Sequence, residues 1–407
     1  MKMSKLAIDG GEKTFTQAPA LPMFPTVYPE TAKLLGDIYL NTRNWSYYGP
    51  HEKQFAQSFA RHHDSAHGVL MANGTVTLEC ALAALGVGPG DEVVVPAYTW
   101  MATAMAAVYI GAAPVFVDSQ ADTLCMDPTA FEAAITPRTK AVIPVHLFGS
   151  IADIEEICRI AKRRGVHVIE DCAHAHGGKW DGKGVGSFGA IGSFSFQQSK
   201  IMTAGEGGLC ATNDPELYDK LCRLKHIGNG PEAIHGKPGT PPPPGLRCHN
   251  YRATEFQAVI LQSQLDRLEE ETALREEGAA YLRQRFEAIP GLKVQARGHK
   301  ATAQSYYVFA VMVGPAVLKP GITRDHVIAA LQAEGAPEVF PGWCAPVYRH
   351  KLWNVAESEY RIASREVAED IIYHRVVLFA LMWLMAPRAE QEKLCCAFEK
   401  VMKEYSR

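Results

Sequence analysis

The sequence has few of the marks that would place it in a membrane, on a polyanion or in a disulfide-stapled scaffold. Its ten cysteines include no C-x-x-C pair, and adjacent Cys395 and Cys396 suit neither a zinc site nor a disulfide framework. Reduced thiols in a cytoplasmic protein are therefore expected. The first residues, MKMSKLAIDGGEK, contain no apolar signal core. The longest apolar run, Val376 to Ala386, is too short to span a bilayer and reads as a buried segment. Charge of either sign is not in excess: 41 basic against 44 acidic residues give −3, which removes any bias toward nucleic acid. There is no internal repeat and no coiled coil, and the only low-complexity tract is the proline run Pro241 to Pro244.

What is present is an alternation of apolar runs with helical patterns, in a chain of 407 residues with 47% hydrophobic content. That is long enough for two domains and a large core. A strand over Gly68 to Ala72 meets Asn73-Gly74-Thr75 and a helix to Leu85, and a strand over Glu92 to Pro96 follows. A helix over Ala102 to Tyr109 precedes strand Pro114 to Val117. Strand Ala141 to His146 and helix Ile154 to Arg164 come next. The run Val166 to Ile169 ends in Glu170 and Asp171, and reads as a buried parallel strand with a carboxylate at its C-terminal end, where open α/β sheets place ligands. A second short strand, Ala190 to Phe196, carries Ser195 and leads to Ser199, Lys200 and the Gly205 to Gly208 turn.

A strand-end carboxylate followed by a hydroxyl and a lysine suits pyridoxal phosphate, which needs a lysine to hold it covalently and an acid against its ring nitrogen. Taken singly, each residue has a plainer explanation. A lysine is usually a solvated charge, and a strand-end Asp often caps a helix. Asn-Gly-Thr would cap any helix, although it also presents free N–H groups and a hydroxyl to a phosphate. Trp100, in PAYTWMAT, could equally be a core tryptophan.

The wording EDCAHAHG, then SFSFQQSK and TAGEGG, resembles the sugar- and cyclitol-aminotransferase family of fold-type I pyridoxal-phosphate enzymes, the DegT/DnrJ/EryC1/StrS family. It is most similar to the inosose aminotransferases, and the 3-amino-5-hydroxybenzoate synthases share much of it. The resemblance covers nearly the whole chain and weakens after about Gly298. It implies an α/β fold: a large domain with a mostly parallel, seven-stranded-type central sheet flanked by helices, and a smaller α+β C-terminal domain. The expected division is an N-terminal arm over 1–50, a pyridoxal-phosphate domain over 51–264 and a small domain over 265–407.

The resemblance also implies roles. Asp171 and Lys200 would be catalytic, the first holding the ring nitrogen protonated and the second carrying the cofactor and moving protons. Gly74, Thr75 and Ser195 would hold the phosphate, Trp100 would stack on the ring, and His174 would lie near it. Asn250, in the N-x-R-x-x-E-x-Q-A run, would reach the phosphate of a partner subunit, which makes the protein a homodimer with shared sites. Tyr47, Tyr48, Glu206, Arg252 and Tyr306 are substrate candidates. Core packing is an equal alternative for the two N-terminal tyrosines, and a structural role an equal one for Glu206. His174, Arg252, Arg349 and Lys351 are candidates for a donor's carboxylate. Tyr306 lies in Ser305-Tyr306-Tyr307, where many relatives carry a His-containing motif. No metal is expected.

The implied activity is transfer of an amino group from L-glutamine or L-glutamate to a keto-cyclitol or keto-sugar, as in aminocyclitol, aminosugar and antibiotic pathways. The alternatives are a nucleotide-keto-sugar aminotransferase, a 3-amino-5-hydroxybenzoate synthase-like enzyme, and a catalytically silent regulator. Sugar dehydratases of this family replace the lysine with His, so Lys200 argues against that branch.

Overall fold

The computed structural model describes residues 5–46, 49–233, 237 and 239–407. Its centre is an eight-stranded sheet in the order His67–Met71, Gly208–Thr212, Ile191–Ser195, His167–Asp171, Thr139–Val142, Glu92–Pro96, Ala113–Val117 and Arg361–Ile362. Only Gly208–Thr212 runs antiparallel to its neighbours; every other pairing is parallel. The parallel strands therefore end at one edge, and the residues that follow Pro96, Asp171 and Ser195 meet there. Runs such as Val93-Val94-Val95 are fully buried because helices cover both faces, so period-two alternation is absent from them.

Seven of these strands match the expected central sheet. The eighth, Arg361–Ile362, comes from the C-terminal region and pairs with Ala113–Val117. Two residues carry no readable strand signal, and this pairing depends on the neighbouring edge being there.

A second, antiparallel sheet is built from Leu292–Val294, Val308–Val313, Val376–Ala380 and Val339–Phe340. The helices Leu268–Glu287, Arg324–Ala333 and Arg388–Tyr405 supply its core, with Phe286, Leu331 and Phe398 buried. Val376–Ala380 lies between two other strands, and Leu381 and Trp383 are buried just after it, which accounts for the long apolar run noted in the sequence.

The packing crosses the expected boundaries in two places. Leu6 and Phe15, from the N-terminal arm, are buried in the second core. Val347, Tyr348, Ala368, Ile371 and Ile372, from the C-terminal third, pack in the first. One carboxylate fastens the arm. Glu334, buried at the end of helix Arg324–Ala333, accepts hydrogen bonds from the Ala7 N–H at 2.8 Å, the Thr14 N–H at 2.9 Å and the Thr14 hydroxyl at 2.8 Å. It also pairs with Lys400 at 2.8 Å.

Burial pushes the Glu334 carboxyl up, but Lys400 and the donors on the arm outweigh it and hold it below the usual range. A lowered folded-state pKa contributes stability that is full above the ordinary carboxylate range and is lost as pH falls through the lowered value. Glu334→Gln is expected to speed hydrogen exchange of the amides in residues 7–15 by roughly tenfold or more at neutral pH. The difference from wild type should shrink as the pH is lowered through the acid range. Unchanged exchange at neutral pH would show that the apolar anchors hold the arm without the carboxylate.

Candidate active site

The strand edge opens into a cavity of about 660 Å³. Asp171, at the end of strand His167–Asp171, is on its wall and only 5% exposed. Alternation along the strand separates the two acids read in the sequence. Asp171 faces the cavity, where Oδ2 accepts from the Thr103 hydroxyl at 2.9 Å and Oδ1 from the Ala173 N–H at 3.1 Å.

Glu170 points the other way. It accepts from the N–H groups of Gly186, Phe188 and Gly189 at 2.8, 2.7 and 2.8 Å and lies 3.2 Å from His146 Nε2. His146 Nδ1 accepts from the Ala152 N–H at 3.2 Å. His146, Glu170 and Cys172 thus cluster closely enough to suggest a metal, with ligand atoms within 4.8 Å of one another. The His nitrogens and the carboxylate oxygens are already engaged in tying loops together, which is a structural role.

Lys200 is half-buried and lines the cavity, after the turn that follows strand Ile191–Ser195. Its backbone N–H donates to Gln197 O at 2.8 Å. The turn beyond is braced by Gln264, whose side chain accepts from the Thr203 N–H and donates to the Thr203 carbonyl, both at 2.7 Å. Burial lowers the Lys200 amine to about 8, against the upward pull of Asp171. Burial raises Asp171, against the hydrogen bonds from Thr103 and Ala173 and the charge of Lys200. His174 is held well below its ordinary value by burial first and then by Lys200, and burial with Lys200 brings His176 to about 3. The site therefore holds a neutral imidazole on its wall, a second, His176, buried against the Ser195 carbonyl, a carboxylate that favours a cationic partner, and an amine able to exchange protons near neutral pH.

The Asn73-Gly74-Thr75 step starts helix Gly74–Ala84 beside the end of strand Ile191–Ser195. The Asn73 side chain caps the helix, accepting from the N–H groups of Thr75 and Val76 at 3.0 Å each. A Cβ on Gly74 would lie 2.6 Å from Ser195 Cβ, so the glycine is what lets the helix start approach Ser195. Gly74, Thr75 and Ser195 line one cavity with Asp171 and Lys200.

Trp100 is on the wall, 43% exposed, and His174 and Glu206 line it as well. The other candidates lie elsewhere. Tyr47 and Tyr48 are outside the described residues. Asn250 is exposed and forms a bridge with His226 away from the cavity wall. Arg252 is half-buried and places Nη1 2.8 Å from His226 Nδ1. Arg349 pairs with Glu369 at 3.4 Å. Among the described residues, Lys200 is the only lysine or arginine in the lining.

Tyr306 requires a correction. It is 6% exposed and packs in the second core with Phe309, and the residue on the cavity wall is its neighbour Tyr307. Tyr306 has φ 53°, in the left-handed region, so it lies in a turn and the strand begins only at Val308.

Sequence reasoning also missed Thr103 and Trp343. Thr103 has a weak local signal, as a hydroxyl one turn beyond Trp100. Trp343 has none. It reaches the cavity from the far end of the chain and packs with Trp100 and His174, at ring distances of 6.1 and 6.0 Å.

A buried acid, a lysine and a helix start at the carboxyl edge of a mostly parallel sheet are the working parts of an α/β aminotransferase. The profile of the DegT/DnrJ/EryC1/StrS aminotransferase family matches residues 31–395, and the chain belongs to that family.

Among its relatives, it is 36% identical to the L-glutamine:2-deoxy-scyllo-inosose aminotransferase of Streptomyces kanamyceticus, over 99% of this chain and 98% of that one. It is 34% identical to the protein of the same description from Micromonospora echinospora, over 98% of both chains. Among solved structures, 3-amino-5-hydroxybenzoic acid synthase superposes with TM-score 0.82 and 31% identity, over 95% of this chain and 100% of that one. An aminotransferase from Psychrobacter cryohalolentis gives 0.86 and 32%, over 95% and 99%. None of the described helices is long and apolar enough to cross a membrane.

Proposed function

We propose that this aminotransferase uses pyridoxal phosphate to move the amino group of L-glutamine or L-glutamate onto a keto-cyclitol of the scyllo-inosose type or a related keto-sugar. In this reading it works as a cytoplasmic homodimer in aminocyclitol or aminosugar biosynthesis, with the large domain over 51–264 carrying the cofactor. The observation that carries the reading is the meeting of Asp171, Lys200, Ser195 and Gly74 in one cavity.

The residues fit the cofactor. Asp171 is a buried carboxylate whose protonation burial favours, so it gains from a cation, and a protonated ring nitrogen is one. Gly74, Thr75 and Ser195 offer a helix start and hydroxyls to a phosphate. Trp100 offers an aromatic face. When bound, pyridoxal phosphate would supply an electron-withdrawing ring and a carrier for the amino group. Lys200 would hold the cofactor and move the proton, for which an amine near 8 is suited.

The substrate reading draws on the curated relatives and on the charge of the wall. Glu79 and Glu206 line the cavity and, apart from Lys200, no lysine or arginine does so among the described residues. An uncharged polyol needs no countercharge from this wall. Asn250 and Arg252 lie outside their own chain's cavity, and in this proposal they serve the partner's.

The two half-reactions test the proposal separately by absorbance. L-glutamine or L-glutamate is expected to convert the cofactor to its amino-loaded form, and a scyllo-inosose-type ketone to return it. If both donors leave the spectrum unchanged while a nucleotide-linked aminosugar shifts it, the cyclitol assignment falls.

A further inference from the structure

Tyr307 touches the reacting lysine in a way no role assigned so far explains. The Lys200 Nζ lies over the Tyr307 ring, 4.6 Å from its centroid. The ring also stacks on His174, with centroids 4.1 Å apart and planes at 11°. Its hydroxyl lies 2.9 Å from the hydroxyl of Ser199, the residue next to Lys200. Ser199 is itself held, its N–H and hydroxyl donating to Gln197 Oε1 at 2.9 and 2.8 Å.

The backbone that presents Tyr307 is fixed from three sides. Arg275, 1% exposed, donates from Nε to the Ser305 carbonyl at 2.8 Å. The Ser305 hydroxyl donates to the His174 carbonyl at 3.2 Å. Gly149 packs so closely that a Cβ on it would lie 2.5 Å from the Tyr306 nitrogen. This turn holds a non-glycine residue at positive φ, and its effect is to bury Tyr306 and aim Tyr307 at the lysine.

We propose that Tyr307 is a positioning residue for Lys200, its ring face receiving the side-chain ammonium whenever the lysine is not bonded to the cofactor. Such a seat keeps the freed nitrogen beside the reaction instead of letting a flexible four-carbon stem swing away. A ring face attracts the charged form over the neutral one, so it opposes the burial that discharges the amine. The hydroxyl bond to Ser199 fixes the plane of the ring.

The proposal rests on Lys200 being the cofactor lysine, and its test has a readout of its own. The full-length enzyme is held in its amino-loaded form, where Lys200 is free. Competitive labelling with acetic anhydride across a pH series then gives the midpoint of Lys200, read on its peptide by mass spectrometry.

Asp171, His174 and His176 interact with the lysine, Glu206 lines the same cavity, and all four are the same in every variant, so differences report on residue 307. Tyr307→Leu is expected to move the midpoint down by about 0.5 to 1 pH unit. Tyr307→Phe, which keeps the ring, should stay near wild type. If the leucine variant does not fold, Tyr307→Met makes the same comparison.

An unchanged or raised midpoint in the aliphatic variant, or an equal fall in the phenylalanine variant, overturns the proposal. Failure of the cofactor assignment would show differently, as undiminished transamination in Lys200→Ala.

Discussion

Lys200→Ala is expected to lose transamination by roughly a thousandfold or more, together with the visible absorbance of lysine-held cofactor. In the proposed function two tasks fall on one nitrogen: holding the cofactor and carrying the proton. No other lysine among the described residues lines the cavity to take either over. The burial that brings the amine to about 8 lets it accept and return a proton near neutral pH. Steady-state rates within tenfold of wild type would remove Lys200 from the reaction.

The same variant probes the proposed subunit arrangement. Lys200→Ala and Asn250→Ala chains, each impaired alone, should recover part of the activity when mixed and exchanged, because one hybrid site regains both side chains. If mass spectrometry verifies the hybrids and activity does not return, Asn250 serves its own chain's site.

Asp171→Asn is expected to retain cofactor while losing on the order of a hundredfold or more in each half-reaction. The amide preserves the shape of the side chain and can still meet Thr103 and Ala173. It removes the negative charge that would keep a ring nitrogen protonated. That charge is already made costly by burial, so its retention in the wild type depends on a cation beside it. Single-turnover absorbance changes with each substrate measure the loss directly. Rates near wild type would mean that another acid holds the ring nitrogen. Glu170 is poorly placed for this, since its oxygens are taken up by three backbone N–H groups and His146.

What the sequence determined by itself was seven strands of the central sheet and the grouping of Asp171, Ser195 and Lys200, because both rest on short-range features. Apolar runs such as Val93 to Val95 read as buried strands wherever they lie, and Asp171, Ser195 and Lys200 fall within one strand–turn–strand stretch. Adjacency along the chain there becomes adjacency in space, and the family's wording names the residues.

Tertiary structure alone decided the rest. The choice between Tyr306 and Tyr307 was made by a turn with one positive φ, held by Arg275, His174 and Gly149 from separate parts of the chain. Trp343 and Thr103 reach the cavity only after distant elements pack. Leu6 and Phe15 look like part of a free arm until the second core provides a place to bury them. Periodicity and motif record what each residue's near neighbours require. Contacts between distant segments depend on backbone geometry and packing that no short window of sequence contains.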